Sequence, residues 1–194
     1  MNCHQESDQS LIHSYLIGNE EALEILITRH KAKIYTTIYL LVKDSYLAED
    51  IFQDTFIKVI NTLRAGKYNE EGKFLPWVLR IAHNLVIDHF RKDKRTPIVT
   101  TIDGYDIFNV LHFVDENAED RIIREQSTSD LRKLILMLPE EQREVLIMRH
   151  YADLSFKEIA DITEVSINTA LGRMRYALNN LRKMMSVKEE SLKQ

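Results

Sequence analysis

Apolar residues return every three or four positions along most of the chain, the period of a helix with one buried face. Leu11, Ile12, Tyr15 and Leu16 mark a first helix, stopped by Gly18-Asn19. Leu23, Leu26, Ile27, Ile34, Ile38 and Leu41 form one stripe of a second, expected from about Glu20 to Val42. Asp44-Ser45 caps a third, with Glu49 and Asp50 in its first turn, where carboxylates suit the helix dipole; Gly66 ends it. A loop holding Asn69 and Gly72 leads to a fourth, from about Phe74 to Lys92, with Pro76 in the first turn, where a missing N–H leaves no bond unmade.

The pattern breaks between residues 96 and 128. Pro97 and a Thr/Asp/Gly stretch interrupt the period, and seven acidic residues stand against two arginines. This reads as a linker whose apolar residues (Ile107, Phe108, Val110, Leu111, Phe113) suit docking. From about Ser127 helical spacing resumes. One helix is expected from Leu131 to Leu138; another, opened by Pro139, carries Val145, Leu146 and Met148. Ser155 and Glu158 form a capping box for the next, and Ser166 caps a last long helix to about Met184. The expected fold is all-α. Two small helical domains, 8–95 and 129–185, flank an acidic linker, 96–128, and the second contains a helix-turn-helix.

Composition agrees, since five glycines and three prolines in 194 residues are too few for the turns of an all-β fold. The formal charge of −4 does not by itself suggest nucleic acid, so the distribution of charge matters more. The single cysteine, Cys3, forms no internal disulfide, and with His4 beside it supplies too few ligands for a metal. No metal or cofactor is expected. No signal-peptide pattern opens the chain, and no apolar run approaches the roughly 18 residues of a membrane span. No membrane insertion and a cytoplasmic location are therefore expected.

The helices at 156–162 and 167–184 are joined by a turn of helix-turn-helix length. Ile167, Ala170, Leu171, Met174 and Leu178 read as the inward face of the second. Asn168, Thr169, Arg173, Arg175, Tyr176 and Asn179 read as the outward face, able to meet phosphates or base edges. Gly172 falls mid-helix on the wet side at a cost of about 1 kcal/mol against alanine, a reason for which is close approach to a DNA backbone. Helical hairpins are more often plain structure than DNA readers. The capping box, turn length and polar face bring the two readings level.

A second signal lies in the fourth helix. From Lys73 to Arg95 there are six Lys/Arg and two Asp, interleaved with Phe74, Trp77, His83, Asn84, His89 and Phe90. Basic groups track phosphates, and aromatic rings accept unstacked bases. Trp77, Ile81, Leu85 and Phe90 also fit a core stripe, but the run Arg91-Lys92-Asp93-Lys94-Arg95 is not needed by a core.

With these residues in view, the chain resembles the extracytoplasmic-function sigma factors. The segment from Phe74-Leu75-Pro76-Trp77 through Ile81-Ala82-His83-Asn84 to Asp88-His89-Phe90-Arg91 is similar to the signature of their second region. Gly18-Asn19-Glu20-Glu21-Ala22-Leu23 and Asp50-Ile51-Phe52-Gln53-Asp54-Thr55-Phe56 are similar to the helices before it. Leu138-Pro139 through Arg143-Glu144-Val145, and Leu154-Ser155 through Glu158-Ile159-Ala160, resemble the start of the fourth region. The resemblance spans nearly the whole chain except the linker and both ends.

The resemblance implies a promoter-specificity subunit of RNA polymerase and no enzyme. Asp50, Gln53, Asp54 and Phe56 would face a coiled coil of the core polymerase's largest subunit. Trp77, Arg80, His83, Asn84, Asp88, Arg91, Lys92, Lys94 and Arg95 would meet the downstream (minus-ten) promoter DNA, where one base is captured outside the stack. Ser166, Asn168, Thr169, Gly172, Arg173, Arg175, Tyr176 and Asn179 would serve the upstream (minus-thirty-five) element in its major groove. The acidic linker would thread along the polymerase's active-site and RNA-exit path. An anti-sigma factor would be a further partner.

Several positions depart from the family pattern. Asp54 stands for a usual Glu, Thr163 for Leu, Glu164 for Gly, Ala170 for Val, Leu171 for a basic residue and Gly172 for Ser. A residue other than glycine at 164 is strained if the turn needs positive φ. The last helix is also less basic than usual. Two other classes remain. A stand-alone helix-turn-helix regulator would bind duplex DNA as a symmetric dimer, yet the first domain shows no dimerising heptad. An enzyme would need a catalytic constellation; His83 and His89, six apart, lie on different sides of a helix.

Overall fold

The computed structural model describes residues 6–69, 72–93, 131 and 133–191. The chain divides into two compact units, Met1–Asp103 and Gly104–Gln194. That division falls within the expected linker, which lies outside the described residues, as do Cys3 and His4. All regular elements among the described residues are helices. None is long and apolar enough to cross a membrane.

The first unit is built from α1 (Asp8–Leu16), α2 (Glu20–Val42), α3 (Ser45–Arg64) and α4 (Phe74–Asp93). Short polar side chains satisfy the free N–H groups at the helix starts. The Ser10, Glu21 and Leu47 amides donate to Ser7 Oγ, Asn19 Oδ1 and Asp44 Oδ1 at 3.2, 3.1 and 2.9 Å. Because α3 begins directly after Asp44, Glu49 and Asp50 stand in its second turn, not the first as expected.

The core of this unit holds Leu11, Ile12, Leu26, Ile34, Ile38, Val59, Leu63, Phe74, Val78 and Leu79, all nearly without exposure. The buried Thr55 hydroxyl donates to the Ile51 carbonyl at 2.7 Å, so burial leaves it paired. Polar clamps join the elements at the rim. Asp8 accepts from Arg29 Nη1 at 2.6 Å and meets His30 Nε2 at 2.7 Å, tying α1 to α2. Arg64 Nε donates to the Tyr15 hydroxyl at 3.0 Å, a bond that raises the guanidinium's pKa and ties α3 to α1.

In the second unit a helical segment at 133–136 precedes α5 (Glu140–His150), α6 (Phe156–Thr163) and α7 (Ile167–Ser191). The last helix thus runs beyond the expected Met184. Val145, Ile147, Met148, Ile159, Ala170 and Ala177 are fully buried and form the centre of the core. Arg143 is buried with them. Desolvation pushes its pKa down, while the Glu140 and Glu144 carboxylates hold the charge in place.

The α6–α7 joint is built as the sequence suggests. The Glu158 amide donates to Ser155 Oγ at 3.3 Å, and the Ser155 amide donates back to the Glu158 carboxylate at 2.8 Å. Glu164 closes α6 in the left-handed region at φ 55, so the position that glycine usually holds does require positive φ. Ser166 then caps α7, accepting from the Thr169 amide at 3.0 Å.

Two substitutions in this joint should move stability in opposite directions, read as thermal midpoints by calorimetry. Ser155→Ala loses the cap and should cost about 1 kcal/mol. Glu164→Gly relieves the left-handed strain and should gain up to about 1 kcal/mol.

Candidate nucleic-acid and polymerase-binding faces

The outer face of α3 is acidic. Glu49, Asp50, Gln53 and Asp54 are exposed, with Tyr46 and Ile57 exposed at either end of the stripe. Gln53 donates loosely to Glu49 at 3.5 Å. Phe56, expected to face the polymerase, does not share this face. It is 6% exposed and packs on Phe52 with ring centroids 4.9 Å apart. It belongs to the opposite side of the helix, where the apolar stripe that holds α3 to its neighbours must lie.

On α4 the core stripe is Phe74, Val78, Ala82 and Val86, with Leu79 beside it. Trp77, Ile81, Leu85 and Phe90 are only half-buried, so the stripe runs one position off the sequence-based alternative. Trp77, Arg80, Asn84, Asp88 and Arg91 fall at steps of three and four. The last four are exposed, so one continuous polar face results. Asp88 and Arg91 pair at 3.4 Å across one turn, and Lys92 is exposed nearby.

His83 does not reach this face. It is 8% exposed, because one position before Asn84 turns it back toward the core. Lys94 and Arg95 lie outside the described residues. Tyr68, which the helical pattern could not single out, stacks on Trp77 with centroids 4.3 Å apart and planes at 46°. Phe74 meets Trp77 at 5.9 Å. The indole is therefore held by two rings and keeps part of its surface open. Its only sequence signal was a tyrosine in the loop between two positive-φ glycines, Gly66 and Gly72.

On α7 the inward face is Ala170, Met174, Ala177 and Leu181; Ile167, Leu171 and Leu178, expected inside, are 45%, 44% and 46% exposed. Ala170 and Ala177 are fully buried at the contact, and the larger Ile167, Leu171 and Leu178 lie on its flank. Asn168, Thr169, Arg175, Tyr176 and Asn179 are exposed as expected. The Ser166 and Thr169 hydroxyls are 2.8 Å apart and partner each other.

Arg173 departs from the expected outer face. It is half-buried and lies 3.9 Å from Glu141 of α5, beside the bond from Asn180 Nδ2 to Gln142 Oε1 at 2.8 Å. It serves the joint between helices more than the open surface. Gly172 has no internal reason to be glycine: a Cβ there would meet nothing within 4 Å, and its φ is not positive. From 167 to 186 no acidic residue appears, while four Lys/Arg do. Among the described residues no cluster of three or more His, Cys, Asp or Glu is placed to hold a metal.

These features define a two-unit helical protein with a helix-turn-helix in its second unit. Residues 26–96 match the Sigma-70 region 2 family, and residues 128–179 match Sigma-70, region 4. The RNA polymerase sigma-H factor of Pseudomonas aeruginosa is 28% identical over 174 residues, 88% of this chain and 89% of that one. The ECF RNA polymerase sigma factor SigW of Bacillus subtilis is 28% identical over 172 residues, 87% and 91% of the two chains. Among solved structures, the sigma factor RpoE in complex with the anti-sigma factor NepR from Bartonella quintana has the same fold. Its TM-score is 0.65 at 20% identity, covering 85% of this chain and 97% of that one. CnrH in complex with the cytosolic domain of CnrY gives a TM-score of 0.66 at 18% identity, with 94% and 99% covered. The chain belongs to the extracytoplasmic-function sigma factors of the sigma-70 family. Its function is that of a promoter-recognising sigma factor, and the stand-alone regulator is not favoured.

The two kinds of residue on α3 should separate on mutation. Phe56→Ala should lower the stability of the first unit by about 3–5 kcal/mol, as a large core truncation does. Asp54→Lys should leave the stability within about 0.5 kcal/mol of the starting protein, as exposed changes do. Circular-dichroism melts of both variants check this.

Proposed function

We propose that this sigma factor uses three separate faces for three tasks. The acidic face of α3, with Asp50, Gln53 and Asp54, holds core RNA polymerase. The α4 face, with Trp77, Arg80, Asn84, Asp88, Arg91 and Lys92, receives the downstream promoter element, to which Lys94 and Arg95, next in the sequence, are also assigned. The outer side of α7, with Ser166, Asn168, Thr169, Gly172, Arg175, Tyr176 and Asn179, enters the major groove of the upstream element. Segregated charge carries this reading: α3 is acidic outward, while α7 has four basic and no acidic residues from 167 to 186 in a protein of charge −4.

Melting is a binding mechanism. Unstacked bases trapped on aromatic and polar groups of α4 shift the duplex toward its open form without covalent chemistry. Arg80 and Arg91 meet phosphates, and Trp77 offers a ring already fixed by Tyr68. Each DNA contact is small. When the protein is docked on the polymerase the second contact becomes effectively intramolecular, which raises occupancy without new interactions. The process takes place in the cytoplasm, where polymerase and DNA are found. An anti-sigma factor is a further partner in this reading, since a similarly folded sigma factor is solved in complex with one.

Run-off transcription from a pool of promoter fragments, with core polymerase and with or without this protein, tests the whole scheme. Transcripts starting at defined sites only in its presence are expected. Initiation that does not depend on it, with the protein alone shifting duplex DNA as a dimer, would overturn the scheme. Within it, Gly172→Ala should raise thermal stability by about 0.5–1 kcal/mol and yet weaken upstream-element use. A stability gain with unchanged promoter use would remove Gly172 from the DNA face.

A further inference from the structure

Leu171 stands where an apolar residue has no structural task. It is 44% exposed, with Ile167 beside it at 45%. The residues that seat α7, Ala170 and Ala177, are fully buried without its help. Leu171 is also one helical turn from each of two exposed reading groups, Asn168 before it and Arg175 after it. Gly172 follows directly and places no side chain between the helix and whatever approaches it. From 167 to 186 the helix carries four Lys/Arg and no acidic residue, which suits a phosphate-lined groove.

In a major groove these side chains have distinct base preferences. Arginine suits the two acceptors of guanine, asparagine the donor–acceptor pair of adenine, and an apolar side chain the 5-methyl group of thymine. We propose that Leu171, supported by Ile167, reads a thymine methyl group in the upstream promoter element, between the base pairs met by Asn168 and Arg175. The inference rests on α7 being the reader of that element. It goes further by naming a chemical group on the DNA and the residue that selects it. A protein-docking patch is the weaker fit, because the exposed aliphatic residues further along the helix are interrupted by charge, Arg175 standing between Leu171 and Leu178 and Arg182 between Leu178 and Met185.

The test uses holoenzyme formed from core polymerase and the full chain, on a promoter selected from a pool with a randomised upstream element. Each thymidine of that element, on either strand, is replaced in turn by deoxyuridine, which deletes only the methyl group. At one or two positions the replacement should reduce initiation about three- to fivefold, the effect of one buried methyl group. Leu171→Ala should use the thymidine and deoxyuridine templates equally. Leu171→Lys should do the same and acquire a preference for guanine at that pair. Because the side chain is exposed, both variants should keep the starting melting midpoint.

If deoxyuridine has no effect at any position, or if its effect survives undiminished in Leu171→Ala, the inference is overturned. If Leu171→Ala instead weakens initiation equally on templates with scrambled upstream elements, the residue contacts protein and the inference is again overturned. The underlying assignment fails separately, and the inference with it, if scrambling the whole upstream element leaves initiation by the starting protein unchanged.

Discussion

Packing of α7 against α5 and α6 governs the second unit. Ala170 and Ala177 fill the centre of that contact with no exposure, and Met174 and Leu181 complete it on the same side. Arg173 is drawn toward Glu141, Asn180 toward Gln142, and Leu171 and Leu178 turn outward. The set of side chains on the outer surface of α7 is thus a by-product of how the helix is seated. A core of leucines would have pushed α7 away and turned a different set of residues to the surface.

The first unit solves a related problem with larger side chains. Phe74 is buried at the start of α4, His30 of α2 packs on it at 5.6 Å, and Asp8 of α1 grips His30. Three helices are therefore fixed around one ring. With α4 held so firmly along Phe74, Val78, Ala82 and Val86, its opposite side is free to carry Arg80, Asn84 and Arg91 in register. Tyr68 reaches the same region from the preceding loop and stiffens Trp77.

Much of this was legible in the residues alone, and what was not has a physical cause. Helix order, the capping box at Ser155 and the turn before Ser166 rest on local rules, and local rules hold where hydrogen bonds run between near neighbours. The errors concern which way a side chain faces. Phe56, His83 and Arg173 were placed outward by likeness or by polarity, and packing turned each of them inward or aside. On α7 the expected inward face shares Ala170 and Met174 with the observed one, but the helix turns Ala177 and Leu181 inward in place of Ile167, Leu171 and Leu178. A one-position shift on a helix is a rotation of about 100°, enough to exchange core for surface. Periodicity alone resolves it poorly when both flanks carry apolar residues. Tyr68 escaped because loops have no period to read.

The chain contains one tryptophan, and it is Trp77. Its indole rests on Tyr68 and Phe74 at the face assigned to downstream promoter DNA. Intrinsic fluorescence excited at the red edge of protein absorption therefore reports on the first unit alone and is silent about the second. Base stacking on the ring would quench it, and release of Tyr68 would shift its colour. If that face receives promoter DNA as proposed, the protein carries its own optical probe for bases arriving on α4, with no label to attach.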